Sequence, residues 1–286
     1  MQNDRKALNT YLAVVMTVSF AIEAVWIYFG EAATQAGIST LLMMVPWVVA
    51  AIVGRVFYKK QGALGFRRCK AIFCLLPVLI PLVYLGLSYG LYWILAKGSF
   101  TGSLSVLADY ASVFSGRALP EHTAVVIALI VMLPITMVTA LGEEAGWRGF
   151  MYPVMQRVWG YKKACLASSI VWALWHLPIV LAGLYYPPST NLFYLVPAFC
   201  VEILALSMIL TCIRTASNSV WPAVLLHALH NYFDQIVFQS LTRADGSIYF
   251  VGEIGIITLA FTVFLAALIF VRSRKSVFEN GQTGQA

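Results

Sequence analysis

The chain has 286 residues, 60% of them hydrophobic and 11% charged, with a mean hydropathy of +0.82. One water-soluble domain cannot bury that much apolar surface, so the composition excludes a soluble globular enzyme and implies a polytopic membrane protein. The formal charge of +7 needs no nucleic-acid partner, because topogenic Lys and Arg, attracted to anionic lipid, account for it.

Apolar runs long enough to cross about 30 Å of hydrocarbon at about 1.5 Å per helical residue lie near residues 10–30, 38–57, 71–96, 122–143, 163–184, 192–213, 217–240 and 252–271. They predict an all-α polytopic membrane protein with about eight transmembrane helices. Neither a composition shift nor a low-complexity linker divides the chain, so residues 1–286 read as a single integral membrane domain. Basic residues gather before the first span and after the second, fourth, sixth and eighth, leaving only Lys97, Arg117 and Arg243 for the opposite side. That alternation places both termini in the cytoplasm, with the plasma membrane as the expected location.

Arg5 and Lys6 precede the first apolar run, which is too long for the core of a cleaved signal peptide and reads as a retained helix carrying Glu23. The longest connection away from the cytoplasm, residues 97–121, has the Gly, Ser and Pro of a loop and room for a short surface helix. The fourth span closes on "TALGEEAGWRGF", residues 139–150, where two carboxylates and an arginine follow some twenty apolar residues. Residues 146–162 then mix aromatic, aliphatic and basic side chains, as expected of a helix bending along the membrane interface. His176 stands deep in the fifth span within "WALWHLP"; Glu202 lies in the sixth; His227, His230, Asn231 and Asp234 lie in the seventh. Cys69, Cys74, Cys165, Cys200 and Cys212 form no CxxC pair and read as small apolar filler. Residues 273–286 form a polar tail beyond the last span.

Ionisable groups inside a membrane are costly, about 2.5–3.5 kcal/mol each on insertion scales, so each marks a candidate site. At about 100° per residue, Glu144 and Arg148 share a helical face and are suited to an ion pair, whereas Glu143 points away with no local partner and is placed to act as a general base. Read singly, this cluster is also a helix end solvated by headgroups, and His176 a packing histidine. His227 and Asn231, four apart on one face, offer two N–H donors to an oxyanion or bond a neighbouring helix. Read together, the three clusters start from the cytoplasmic ends of helices 4, 5 and 7 and can converge in a cavity among them.

"GEEAGWRGF", "WALWHLP" and "HALHN", in that order, resemble the EExxxR, FxxxH and HxxxN motifs of the CPBP family, the CAAX-protease and bacteriocin-processing intramembrane proteases. Residues 122–240 carry the resemblance, with Trp172 where the family's second motif has Phe. It implies an intramembrane endopeptidase in which Glu143 and His176 activate water, His227 and Asn231 stabilise the oxyanion, and Glu144 and Arg148 support them. The substrate would be a peptide or a membrane-anchored protein. No cofactor is implied by that arrangement; an alternative has Glu143, His176 and His227 as zinc ligands, although no HExxH is present. Two other readings use the same residues. One is a non-proteolytic scaffold with the same fold, and the other is a transporter with a path through Glu23, Glu202 and Asp234.

Overall fold

The computed structural model describes residues 2–58, 64–104, 107 and 119–282, with side chains to residue 272 apart from Gln35. The elements are α1 (Gln2–Phe29), α2 (Glu31–Gln35), α3 (Ile38–Tyr58), α4 (Ile72–Leu95), α5 (Glu121–Gly146), α6 (Tyr152–Trp159), α7 (Tyr161–Leu181), α8 (Leu192–Ser217), α9 (Trp221–Asn231) and α10 (Ile256–Gln282). π-helical segments follow α5 (Trp147–Met151) and α9 (Tyr232–Phe238), and a short 3₁₀ turn covers Ser247–Tyr249. Among the described residues the only extended pairing is an isolated bridge between Phe100 and Thr242. The fold is all-α.

Among the described residues six helices are long and apolar enough to cross a membrane: α1, α3, α4, the continuous run Glu121–Trp159, α7 and α8. The other two spans expected from sequence correspond to α9 extended by its π segment, and to α10, whose described apolar part is Ile256–Arg272. The surface pattern is that of a protein solvated by lipid. In α1 the stripe Leu8, Tyr11, Val15, Ser19, Glu23 and Trp26 turns inward at helical spacing, while Val25 and Ile27 face out. Val56, Ile94, Ile130 and Phe264 are each about two-thirds or more exposed on other helices.

Two local expectations change. The fourth span does not stop at Glu143, because α5 passes without a break through the π segment into α6, a run of 39 residues. Residues 147–155 pack into the bundle, with Trp147, Arg148, Phe150, Met151, Tyr152, Val154 and Met155 buried. The i→i+5 pattern of a π segment accommodates an extra residue in the helix, and so turns this mixed sequence into the bundle. The last helix also runs on to Gln282 instead of ending near residue 271. Of the 97–121 connection, where a short surface helix was expected, residues 105–106 and 108–118 lie outside the described residues, as do Lys59 and Lys60.

Small residues bring α5 against α3. A Cβ built on Gly142 would lie 2.6 Å from the Met43 carbonyl oxygen, and one on Gly146 the same 2.6 Å from that of Pro46. Gly149, on the same face, would meet the Leu64 carbonyl oxygen at 2.6 Å. Only hydrogen fits at these positions, which is how membrane helices without a hydrophobic driving force between them pack closely. This contact fixes the depth and rotation of the two carboxylates between Gly142 and Gly146. α8 is the most enclosed span, with 67% of its apolar window buried, and it packs against α7, α9 and α10.

Candidate active site

Glu143, His176, His227 and Asn231 line one cavity, although they come from α5, α7 and α9. Trp172, Trp175, Leu42 and Met43 are among the apolar walls. The acidic pair divides as helical geometry implies. Arg148 Nη1 donates to Glu144 Oε1 at 2.7 Å within α5 and its π segment, both side chains being fully buried. Glu143 has no partner on its own helix; its Oε2 accepts instead from Trp172 Nε1 of α7 at 2.7 Å.

Each histidine is held from behind. His176 Nδ1 lies 2.9 Å from the Trp172 carbonyl oxygen, and His227 Nδ1 lies 3.0 Å from Glu144 Oε1. A carbonyl or carboxylate only accepts, so Nδ1 carries the proton in both rings, and Nε2 is the nitrogen left for chemistry. For neutral His176 that nitrogen is a lone pair, suited to accepting from water. For His227 to donate to an oxyanion, the ring must be protonated on both nitrogens, with Glu144 as its counterion. Glu144 Oε1 is therefore shared between Arg148 and His227, an arrangement the local helical spacing could not reveal.

Trp172 ties the cluster together. Its ring meets those of His176 and His227 edge to face, with centroids 5.6 and 5.3 Å away, and the Arg148 guanidinium sits 4.4 Å over it. Arg148 is further fixed by Nη2 donating to Ser207 Oγ at 2.8 Å, and Ser169 Oγ donates to the same hydroxyl at 2.8 Å. The carbonyl of Arg148, inside the π segment, accepts from Arg214 Nε at 3.0 Å.

The other polar residues noted in the sequence lie elsewhere. Neither Glu23 of α1, Glu202 of α8, Asp234 nor His230 lines the cavity. Asp234 Oδ1 accepts from Tyr89 at 2.8 Å, and His230 Nδ1 bonds the Tyr84 hydroxyl. Tyr185 and Glu253 are among the wall residues that escaped sequence reasoning. Glu253 lies in "VGEIG", where a lone carboxylate between two glycines in an apolar stretch was the available signal.

For a metal the donor types are suitable, and a histidine whose Nδ1 is anchored by a carbonyl or carboxylate is a common ligand. The set is incomplete, however. Among the described residues no three His, Cys, Asp or Glu side chains are grouped to hold an ion, and one oxygen of Glu143 is engaged by Trp172. The arrangement does not fit the zinc alternative.

The family model described as type II CAAX prenyl endopeptidase Rce1-like matches residues 125–233. A protein of Methanococcus maripaludis named CAAX prenyl protease 2 is similar to this chain, 23% identical over 293 aligned residues that cover 94% of this chain and 95% of that protein. The match extends well beyond the motifs, through the first four helices as well.

Proposed function

We propose that this chain, whose residues 125–233 match the Rce1-like CAAX prenyl endopeptidase model, is an intramembrane endopeptidase that cleaves its substrate with water activated by Glu143 and His176. The observation that carries this reading is that both side chains are anchored on one atom, Glu143 Oε2 by Trp172 and His176 Nδ1 by a carbonyl, and both line the same cavity. Each has one acceptor atom remaining, Glu143 Oε1 and His176 Nε2, and a water between them is oriented and polarised together.

In this mechanism the water oxygen attacks the scissile carbonyl carbon as its proton passes to Glu143. The carbonyl oxygen becomes an oxyanion that accepts from the Asn231 carboxamide and from Nε2 of doubly protonated His227. Collapse breaks the C–N bond, and the proton held by Glu143 moves to the leaving amine. Glu144 and Arg148 act through His227 and are positioning residues. The substrate is a peptide or a membrane-anchored protein, and the relative's name suggests a prenylated C-terminus as one candidate. The basic-residue alternation supports cytoplasmic termini, with the protein in the plasma membrane.

The test is cleavage of peptides by purified protein in lipid. Glu143→Gln and His176→Ala each reduce turnover by about 10²–10⁴-fold while the protein stays folded and monodisperse. Full activity in both variants would remove the proposal. A deletion phenotype rescued by Glu143→Gln would favour the scaffold reading.

A further inference from the structure

The catalytic proposal leaves one charged wall residue without a task. Glu253 is 8% exposed and lines the same cavity as Glu143. Its Oε2 accepts from Tyr186 Oη at 2.8 Å, and its Oε1 from Gln235 Nε2 at 2.9 Å and, more weakly, from Tyr185 Oη at 3.4 Å. All three donors are neutral. The one ion-pair neighbour among the described residues is His230, whose Nε2 stands 3.9 Å from Glu253 Oε1, is fully buried and has no hydrogen-bond partner. A carboxylate lining a poorly hydrated cavity with no lysine or arginine beside it attracts a cation, and more strongly than it would in water.

The carboxylate is also held in place. It belongs to the connection into α10, where Tyr194 Oη donates to the Ile254 carbonyl at 2.6 Å and Ile257 N to the Phe250 carbonyl at 3.0 Å. Its partner Gln235 follows Asn231 by four residues along one helical run, so the two are about one turn, some 5–6 Å, apart along the axis. An extended peptide advances about 3.3–3.6 Å per residue. With its carbonyl at Asn231, such a peptide brings a side chain one or two residues away up to Glu253. On the side of the catalytic histidine, the Tyr185 ring lies 6.0 Å from that of His176, which joins the two parts of the cavity.

We propose that Glu253, held by Tyr186 and Gln235 and backed by His230, forms a cation-accepting subsite that takes a lysine or arginine side chain one or two residues from the scissile bond. The proposal rests on the endopeptidase reading of the cavity and adds its substrate preference.

The test reads binding, so that it is separable from catalysis. Fluorescent peptides identical except for Lys, Arg or Met at each of the two positions on either side of the bond are titrated onto Glu143→Gln protein in nanodiscs. One position is expected to favour Lys over Met by about tenfold, and adding Glu253→Gln to bring that ratio near one. Glu253→Asp, which retracts the carboxylate by one methylene, should shift the preference from Lys toward the longer Arg, and it serves if the Gln variant does not fold. Equal binding of Lys and Met peptides at every position overturns the subsite, as does a preference that survives both Glu253 variants. Failure of the endopeptidase reading shows differently, as wild-type protein that cleaves none of these peptides or Glu143→Gln protein that cleaves them as fast.

Discussion

Trp172 Nε1 of α7 donates to Glu143 Oε2 of α5 at 2.7 Å, so an indole of the cavity wall fixes one oxygen of the carboxylate. Phe, which the resembling family motif has at this position, would fill the space and stack on the histidines but leave that oxygen without its donor. A hydrogen bond to a charged group contributes about 1.5–3 kcal/mol, so Trp172→Phe should lower kcat by about 10–100-fold. KM should change far less, because the substrate does not need this bond to occupy the cavity. Steady-state kinetics on one peptide separate the two, and an unchanged kcat would make Trp172 a packing residue only.

The close approach of α3 and α5 makes a second prediction. Gly146→Ala places a methyl group 2.6 Å from the Pro46 carbonyl oxygen, and neither backbone can yield without moving its helix. Overpacking of this kind costs about 1–3 kcal/mol. The loss should appear as a lower unfolding midpoint, accompanied by reduced turnover, since α3 supplies Leu42 and Met43 to the cavity wall. Gly160→Ala is the control for space, because a Cβ there meets nothing within 4 Å. Its cost is confined to the strained φ of 76°.

The sequence carries the class of fold and the four proposed catalytic positions for a common physical reason. Charge is so costly in hydrocarbon that Glu143, Glu144, Arg148, His176 and His227 stand out against their apolar surroundings. The 3.6-residue repeat then pairs Glu144 with Arg148, as the 2.7 Å contact bears out. The π segment is what periodicity could not show. Its start at Trp147 follows no proline, and the charged and mixed residues around it read as easily as the end of a span, so an end to the helix was the simpler expectation. Contacts between distant helices were likewise hidden. Nothing in "WALWHLP" tells that its first indole bonds a carboxylate, and nothing local tells that Glu144 serves His227 as well as Arg148.

The ring nitrogens bear on metal dependence. His176 and His227 both engage Nδ1, and no three-ligand group forms among the described residues. Dialysis against a chelator should therefore leave peptide cleavage within about twofold, and purified protein should carry less than about one bound metal per chain. Activity lost to the chelator and restored by zinc alone would overturn the water mechanism and reinstate Glu143, His176 and His227 as ligands.

Glu144 lies between Arg148, at 2.7 Å, and His227, at 3.0 Å, in a site with no water-exposed charge. Removing one member of a buried ion pair leaves the other uncompensated, at about 3–5 kcal/mol. Glu144→Gln and Arg148→Met should each destabilise by about that amount, while the double variant, which buries no unmatched charge once His227 is neutral, should cost less than their sum by about 1–3 kcal/mol. Activity should not follow stability. The double variant still lacks the counterion of His227, so a ring that has to be doubly protonated to hold the oxyanion loses its support, and turnover stays about 10²-fold or more below wild type. Unfolding midpoints measured beside kcat for all three proteins decide the matter. Recovery of kcat in parallel with stability would mean that Glu144 and Arg148 serve the fold alone.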